Sequence, residues 1–193
     1  MRKLAHEEIP RLAPDGLAAR ARHPVVVIVD NIRSVHNVGS VFRTADAAWI
    51  EHIHICGYAP TPRHKGVLKT ALGAEASVPW TYHPDIHDAM DAIEAEGFTL
   101  AALEITDTPT FAEALADDHY PLALVLGNEV TGVADDVLAR CRLSLEIPQY
   151  GMKQSMNVSV AFGIAVFDVV RRFRALQSLP ADPTRTPRPA SHG

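Results

Sequence analysis

The chain has 193 residues, 47% of them hydrophobic and 21% charged, with a mean hydropathy of +0.01. That composition excludes an intrinsically disordered chain, and no apolar run exceeds five residues, too short to span a bilayer. The net charge of −5 is segregated: 14 acids and no Lys or Arg lie between Thr70 and Ala139, and the rest of the chain carries +9.

Such asymmetry fits a polyanion-binding face on an acidic protein, and it fits a solvated acidic face with no partner equally well. Cys56 and Cys141 are too few for a disulfide framework and match no zinc spacing, so no metal is expected. The N-terminus has no apolar signal-peptide core. A cytoplasmic protein with reduced thiols and no membrane partner is expected.

Residues 1–23 form a basic extension with Arg2, Lys3, Arg11, Arg20 and Arg22, read as a short helix plus linker. One domain is expected over 24–176. It opens on Val25-Val26-Val27-Ile28-Val29, the continuous β-branched run of a strand buried on both faces. From Asn37 the period changes to that of a helix, with Val38, Val41, Phe42 and Ala45 on one face. A strand over Ile50 to Cys56 and a loop with Gly57, Pro60 and Pro62 follow. Ser77 to Tyr82 is read as a strand, Asp85 to Glu96 as an acidic helix, and Phe98 to Ile105 as a strand. A short helix near Thr110 to Leu115 precedes a strand over Leu122 to Leu126. Next come a helix over Asp135 to Arg140 and a strand over Leu143 to Ile147. The last helix runs from about Ser155 to Leu176. Strands alternating with helices predict an α/β fold, a mainly parallel sheet with helices on both faces. The tail 177–193 is rich in proline and expected to be flexible.

The last helix is apolar nearly all round. Val158, Phe162, Ala165 and Val169 mark one face, and Val160, Ile164, Phe167 and Val170 another. Burial against a second subunit and burial in a deep single-chain core both fit; the subunit interface is the preferred reading.

Absent loops narrow the chemistry. There is no G-x-G-x-x-G after a strand, and Gly127 and Gly132 have P-loop spacing with Val133 where the phosphate-binding Lys would stand. His52 and His54 share one strand face and read as solvent-facing rather than as a zinc pair. Three loops that each follow a strand remain. Asn31 to Arg43 leads into the amphipathic helix, where Asn37 can serve as the cap and Arg43 is read near the helix start. Leu126 to Gly132 is polar and follows a buried strand, at the carboxyl end where open α/β sheets bind ligands. Ile147 to Asn157 joins the last strand to the last helix, and Ser155 or Asn157 can cap that helix.

Three segments resemble, in order, the signature motifs of the SpoU/TrmH family. They are Asn37-Val-Gly-Ser-Val-Phe-Arg43-Thr-Ala-Asp, Leu126-Gly-Asn-Glu129-x-x-Gly132, and Ile147-Pro with Ser155-Met-Asn157-Val-Ser-Val-Ala. That family belongs to the SPOUT superfamily of S-adenosylmethionine-dependent RNA methyltransferases, and the similarity runs from about Pro24 to Arg174. The resemblance implies a C-terminal deep trefoil knot, a homodimer and S-adenosylmethionine as cofactor. It implies a cofactor pocket built from Leu103, Glu104, Gly127, Ile147, Gln149, Met156 and Asn157. It assigns the ribose 2′-hydroxyl to Arg43, supported by Asn37, Glu129, Ser155 and Asn157. Arg43 is then either the proton acceptor or an electrostatic stabiliser, and as a permanently charged side chain it is a poor base by default.

About 24 residues before the first strand are too few for a separate RNA-binding domain, so RNA is expected to lie on the catalytic dimer. Candidate phosphate contacts are Arg33, Arg63, Lys65, Lys69, Lys153, Arg171, Arg172 and Arg174. The expected activity is ribose 2′-O-methylation, of transfer RNA before ribosomal RNA. The alternatives are a catalytically inactive RNA-binding protein of the same fold and a flavodoxin-like nucleotide-binding domain.

Overall fold

Six strands and six α-helices alternate through residues 23–176 of the computed structural model, which describes residues 2, 3, 5, 21–153 and 155–180. Most of the N-terminal extension, with its expected helix, and most of the proline-rich tail lie outside the described residues. The strands are β1 (His23–Asp30), β2 (Ile50–Cys56), β3 (Trp80–His83), β4 (Thr99–Leu103), β5 (Leu122–Leu126) and β6 (Leu143–Leu145). They form one sheet in the order β3-β2-β1-β5-β4-β6, and every pairing is parallel. The order turns back between β1 and β5, so loops after those strands diverge and leave a crevice at their carboxyl ends.

Helices cover both faces. Val25, Val27 and Val29 of β1 join a core with α1 (Val35–Ala48), α2 (Lys65–Ala71), α3 (Ala74–Ser77) and α6 (Val158–Leu176). Val26 and Ile28 point the other way, toward α4 (Ile86–Ala95) and α5 (Asp135–Leu138). Burial of both faces is why β1 needs no polar alternation. Cys56 and Cys141 are free thiols.

Several boundaries differ from the sequence reading. α1 starts two residues early: Ser34 is its cap, accepting from the Asn37 N–H at 3.3 Å, and Asn37 sits inside the first turns. Arg43 therefore lies in mid-helix. The expected strand over Ser77 to Tyr82 begins only at Trp80, because 74–77 close a helical turn. β4 and β6 stop at Leu103 and Leu145, where the chain turns into loops. The short helix near Thr110 is a single 3-10 turn at Ala112–Ala114. α2 replaces what reads as loop. α6 opens at Val158, with Asn157 as its cap accepting from the Ser159 and Val160 N–H groups.

Candidate functional site

The three expected motifs meet at one side chain. Asn37 is only 9% exposed, and its Nδ2 donates to Glu129 Oε1 at 2.9 Å. Its Oδ1 accepts from Asn157 Nδ2 at 3.1 Å. Glu129 completes the junction by accepting from the Arg33 N–H (3.0 Å) and the Ser34 N–H (3.1 Å), which open α1. A carboxylate at a helix N-terminus also meets the positive end of the peptide dipoles. Burial raises the Glu129 pKa, but the hydrogen bonds from Arg33, Asn37 and Ser34 outweigh it, so its carboxyl titrates below the usual range.

The loop after β5 is folded on itself. The Asn128 and Gly132 backbones exchange hydrogen bonds at 3.0 and 2.9 Å. A Cβ on Gly127 would sit 2.2 Å from the Gly132 carbonyl carbon, so only glycine allows the crossing. Gly132, at φ +70°, lies against Glu104, whose Oε2 accepts from the Val133 N–H at 3.0 Å and whose Oε1 accepts from the Ile105 N–H at 2.9 Å. Glu104 thus ties the ends of β4 and β5 together.

Between these loops lies a cavity of about 590 Å³ at the carboxyl ends of β4, β5 and β6. Leu103, Glu104, Gly127, Ile147, Gln149, Met156 and Asn157, the seven residues expected to hold a cofactor, all line it. Glu129 and Ser155 line it too. The volume is that of a small-molecule site, and apolar Leu103, Leu126, Ile147 and Met156 alternate with polar groups and loop backbone. A flat base with a polar sugar and tail fits this donor set.

The remaining expected residues lie apart. Arg43 is on the exposed stripe of α1, outside the cavity lining, and has no hydrogen bond or ion pair among the described residues. Arg33, Arg63, Lys65, Lys69 and Lys153 are exposed and form no ion pair among the described residues. The arginines of α6 are engaged: Arg171 pairs with Asp168, Arg172 donates to the Leu115 carbonyl at 2.6 Å, and Arg174 contacts His23 and the Pro180 carbonyl.

His52 and His54 are half-buried rather than solvent-facing. They line a second cavity of about 500 Å³ with His83, Glu51, Glu96 and Arg22. Burial, with His52 and His83 beside it, pushes the His54 pKa down to about 3. Among the described residues no cluster of three or more His, Cys, Asp or Glu is placed to hold a metal ion, and no helix is long and apolar enough to cross a membrane.

Sequence reasoning missed the grip of Glu129 on backbone N–H groups and the Asn31–Asn128–Tyr58 contacts beside it. Asn31 at the end of a buried strand, with Gly57 at the end of its neighbour, was the available signal.

A parallel α/β sheet with a ligand-sized cavity at the carboxyl ends of β4, β5 and β6, walled by polar loops, defines a small-molecule-binding α/β domain. Residues 24–167 match the SpoU rRNA methylase family, and the chain belongs to that family. It is 33% identical over 155 residues to a tRNA (guanosine(18)-2′-O)-methyltransferase of Thermus thermophilus, covering 79% of this chain and 78% of that protein. The chain spans 63% of the length of a putative TrmH family tRNA/rRNA methyltransferase of Staphylococcus epidermidis, to which it is 29% identical over 158 residues, 82% of this chain. Its fold is similar to that of the A. aeolicus TrmH/SpoU tRNA modifying enzyme (TM-score 0.73, 25% identity, 86% of this chain and 84% of that one). It is also similar to an AdoMet-bound rRNA methyltransferase from Sinorhizobium meliloti (TM-score 0.71, 26% identity, 77% and 56%).

Proposed function

We propose that this protein is an S-adenosylmethionine-dependent RNA methyltransferase that modifies a ribose 2′-hydroxyl, with transfer RNA the first substrate class and ribosomal RNA the second. One observation carries the reading: seven residues from three separate loops line a single cavity that the Asn37–Glu129–Asn157 junction borders. Relatives named for tRNA ribose methylation, and a structural neighbour with bound AdoMet, support it.

The residues divide the work. Leu103, Glu104, Gly127, Ile147, Gln149 and Met156 would hold the cofactor, whose sulfonium supplies an activated methyl group when bound. Gln149 and the Glu104 carboxylate would offer it polar contacts, and backbone groups of the loops would face its base. Asn37, Glu129 and Asn157 position the start of α1 against the start of α6, and with it Arg43 two turns further on. Arg43 presents a permanent positive charge with no hydrogen-bond or ion-pair partner among the described residues, suited to stabilising charge that develops on the ribose oxygen. In-line displacement demands alignment above all, so a rigid junction between the helices contributes directly to rate. Ser155, on the cavity wall, lies within the same loop.

The exposed Val160, Ile164 and Phe167 on α6 support a homodimer. A trefoil knot at the C-terminus is part of the same reading: after edge strand β6 the chain returns to pack α6 on α1, past the loops of β4 and β5.

Transfer of labelled methyl from S-adenosylmethionine to total RNA, with nucleoside mapping, tests the activity; a labelled base instead of a ribose would refute it. Arg43→Lys keeps the charge but loses the planar fork. Activity is expected to drop about a hundredfold, an effect of about 3 kcal/mol. Cofactor affinity by calorimetry should be unchanged. Wild-type rates, or loss of cofactor binding, would remove Arg43 from the chemistry.

A further inference from the structure

Neither the cavity nor the Asn37 junction uses Tyr58, the most exposed aromatic ring among the carboxyl-end loops of β1, β2 and β5. Its side chain belongs to a residue that is 63% exposed, yet it is held at both ends. Its backbone N–H donates to Asn31 Oδ1 at 3.2 Å, and its hydroxyl accepts from Asn128 Nδ2 at 2.8 Å. Asn128 Nδ2 also donates to the Asn31 carbonyl at 2.8 Å, so the loops after β1, β2 and β5 are joined through these three residues. Asn31 takes a left-handed φ of +51° to do this, and Gly57 one of +62°, where a Cβ would lie 2.1 Å from Asn31 Oδ1.

The geometry is unusual for a surface tyrosine, whose polar tip ordinarily points to water. Here the hydroxyl is tied to Asn128 while the residue as a whole stays exposed. Asn128 lines the cavity and precedes Glu129, so the ring stands one hydrogen bond from the candidate site. Tyr82 braces the same loop by donating to the Gly57 carbonyl at 2.9 Å. Arg33 on the neighbouring loop, Arg63 further along the Tyr58 loop, and Lys65 at the start of α2 are exposed cations without ion pairs among the described residues.

We propose that Tyr58 is a stacking platform for an unpaired nucleobase of the RNA, beside the ribose to be methylated; this rests on the function proposed above. Single-stranded RNA is held by bases stacked on aromatic rings and by phosphates on cations. A ring already fixed loses little freedom when the base arrives, so the contact goes into affinity. Stacking on a π-face accepts any base, so Tyr58 would contribute affinity and placement rather than sequence choice.

The test is binding of a fluorescently labelled, unmodified tRNA transcript, followed by anisotropy, with cofactor affinity measured separately by calorimetry. Tyr58→Leu keeps apolar bulk without a π-face and should weaken transcript binding on the order of tenfold. Tyr58→Phe loses the Asn128 contact but keeps the ring, and should stay nearer the wild type than the Leu variant. Tyr58→Trp should bind at least as tightly as the wild type. None of the three should alter cofactor affinity. Wild-type binding by Tyr58→Leu would overturn the proposal. So would a Phe variant as weak as the Leu variant, or lost cofactor affinity, because each makes Tyr58 a brace for Asn128. Methyl transfer by the wild-type protein, measured in parallel, reports on the proposed activity independently.

Discussion

Glu129 shows how one exposed carboxylate can organise a site. Its three N–H partners are the Arg33 and Ser34 backbones just ahead of α1 and the Asn37 side chain within it, and Asn37 passes the link on to Asn157. Glu129→Gln offers a single accepting oxygen and turns an NH2 toward groups that themselves donate. At neutral pH the variant should be less stable by about 1 kcal/mol or less, since solvent screens an exposed group. The sign with pH follows from the lowered carboxyl pKa. Its contribution is present above the unfolded value of about 4.3 and is lost as pH falls through the lower folded value. Thermal unfolding of both proteins should therefore converge below about pH 4. A gap that stays constant into that range would show that the carboxylate charge contributes nothing.

At the scale of elements, α1 is the part that must not shift, because it carries both Asn37 and Arg43. It crosses α2 closely at Gly39, where a Cβ would meet Thr70 Cβ at 2.6 Å and the Val67 carbonyl oxygen at 2.9 Å. Gly39→Ala would gain about 1 kcal/mol of helix propensity, but relieving contact with backbone costs about 1–3 kcal/mol, so destabilisation should win. A lower midpoint in chemical denaturation, with reduced methyl transfer, is the expected result; an unchanged midpoint would mean that α2 moves freely. The sequence revealed α1 through its apolar period, and β1 and β5 through uninterrupted β-branched and leucine runs. It concealed α2, whose seven residues bury only Val67 and Ala71, too few for a periodic signal. It also hid the true cap of α1, since Ser34 and Asn37 are equally good capping residues and only tertiary contacts with Glu129 decide between them. Residues of the cavity were legible through the resemblance to the family, carried over position by position; the contacts that join motifs span 92 and 120 positions, and no local pattern encodes them.

For the whole molecule, α6 resolves into one buried face and one exposed face. Phe162, Ala165, Val166 and Val169 are buried in the chain's own core, against the sheet and α1. Val160, Ile164 and Phe167 recur at helical spacing on the opposite side and are 53%, 38% and 39% exposed. Of the two apolar faces read from the sequence, the one with Phe162 is therefore the monomer core, where a charge would disrupt the fold, and Val170 of the other face is buried as well. Phe167, on the exposed stripe, is the residue that tests an interface. If a second copy covers that stripe, Phe167→Asp buries an unpaired carboxylate at the contact, at a cost of about 3–5 kcal/mol. Each 1.4 kcal/mol is tenfold in affinity, so the dimer should weaken by about a hundredfold or more. Sedimentation should then show a dimer for the wild type and a monomer for Phe167→Asp, with far-ultraviolet circular dichroism unchanged. Phe162→Asp should instead lose the cooperative unfolding transition. A wild-type monomer, or a Phe167→Asp dimer of wild-type strength, would leave the exposed stripe of α6 without a subunit to cover it.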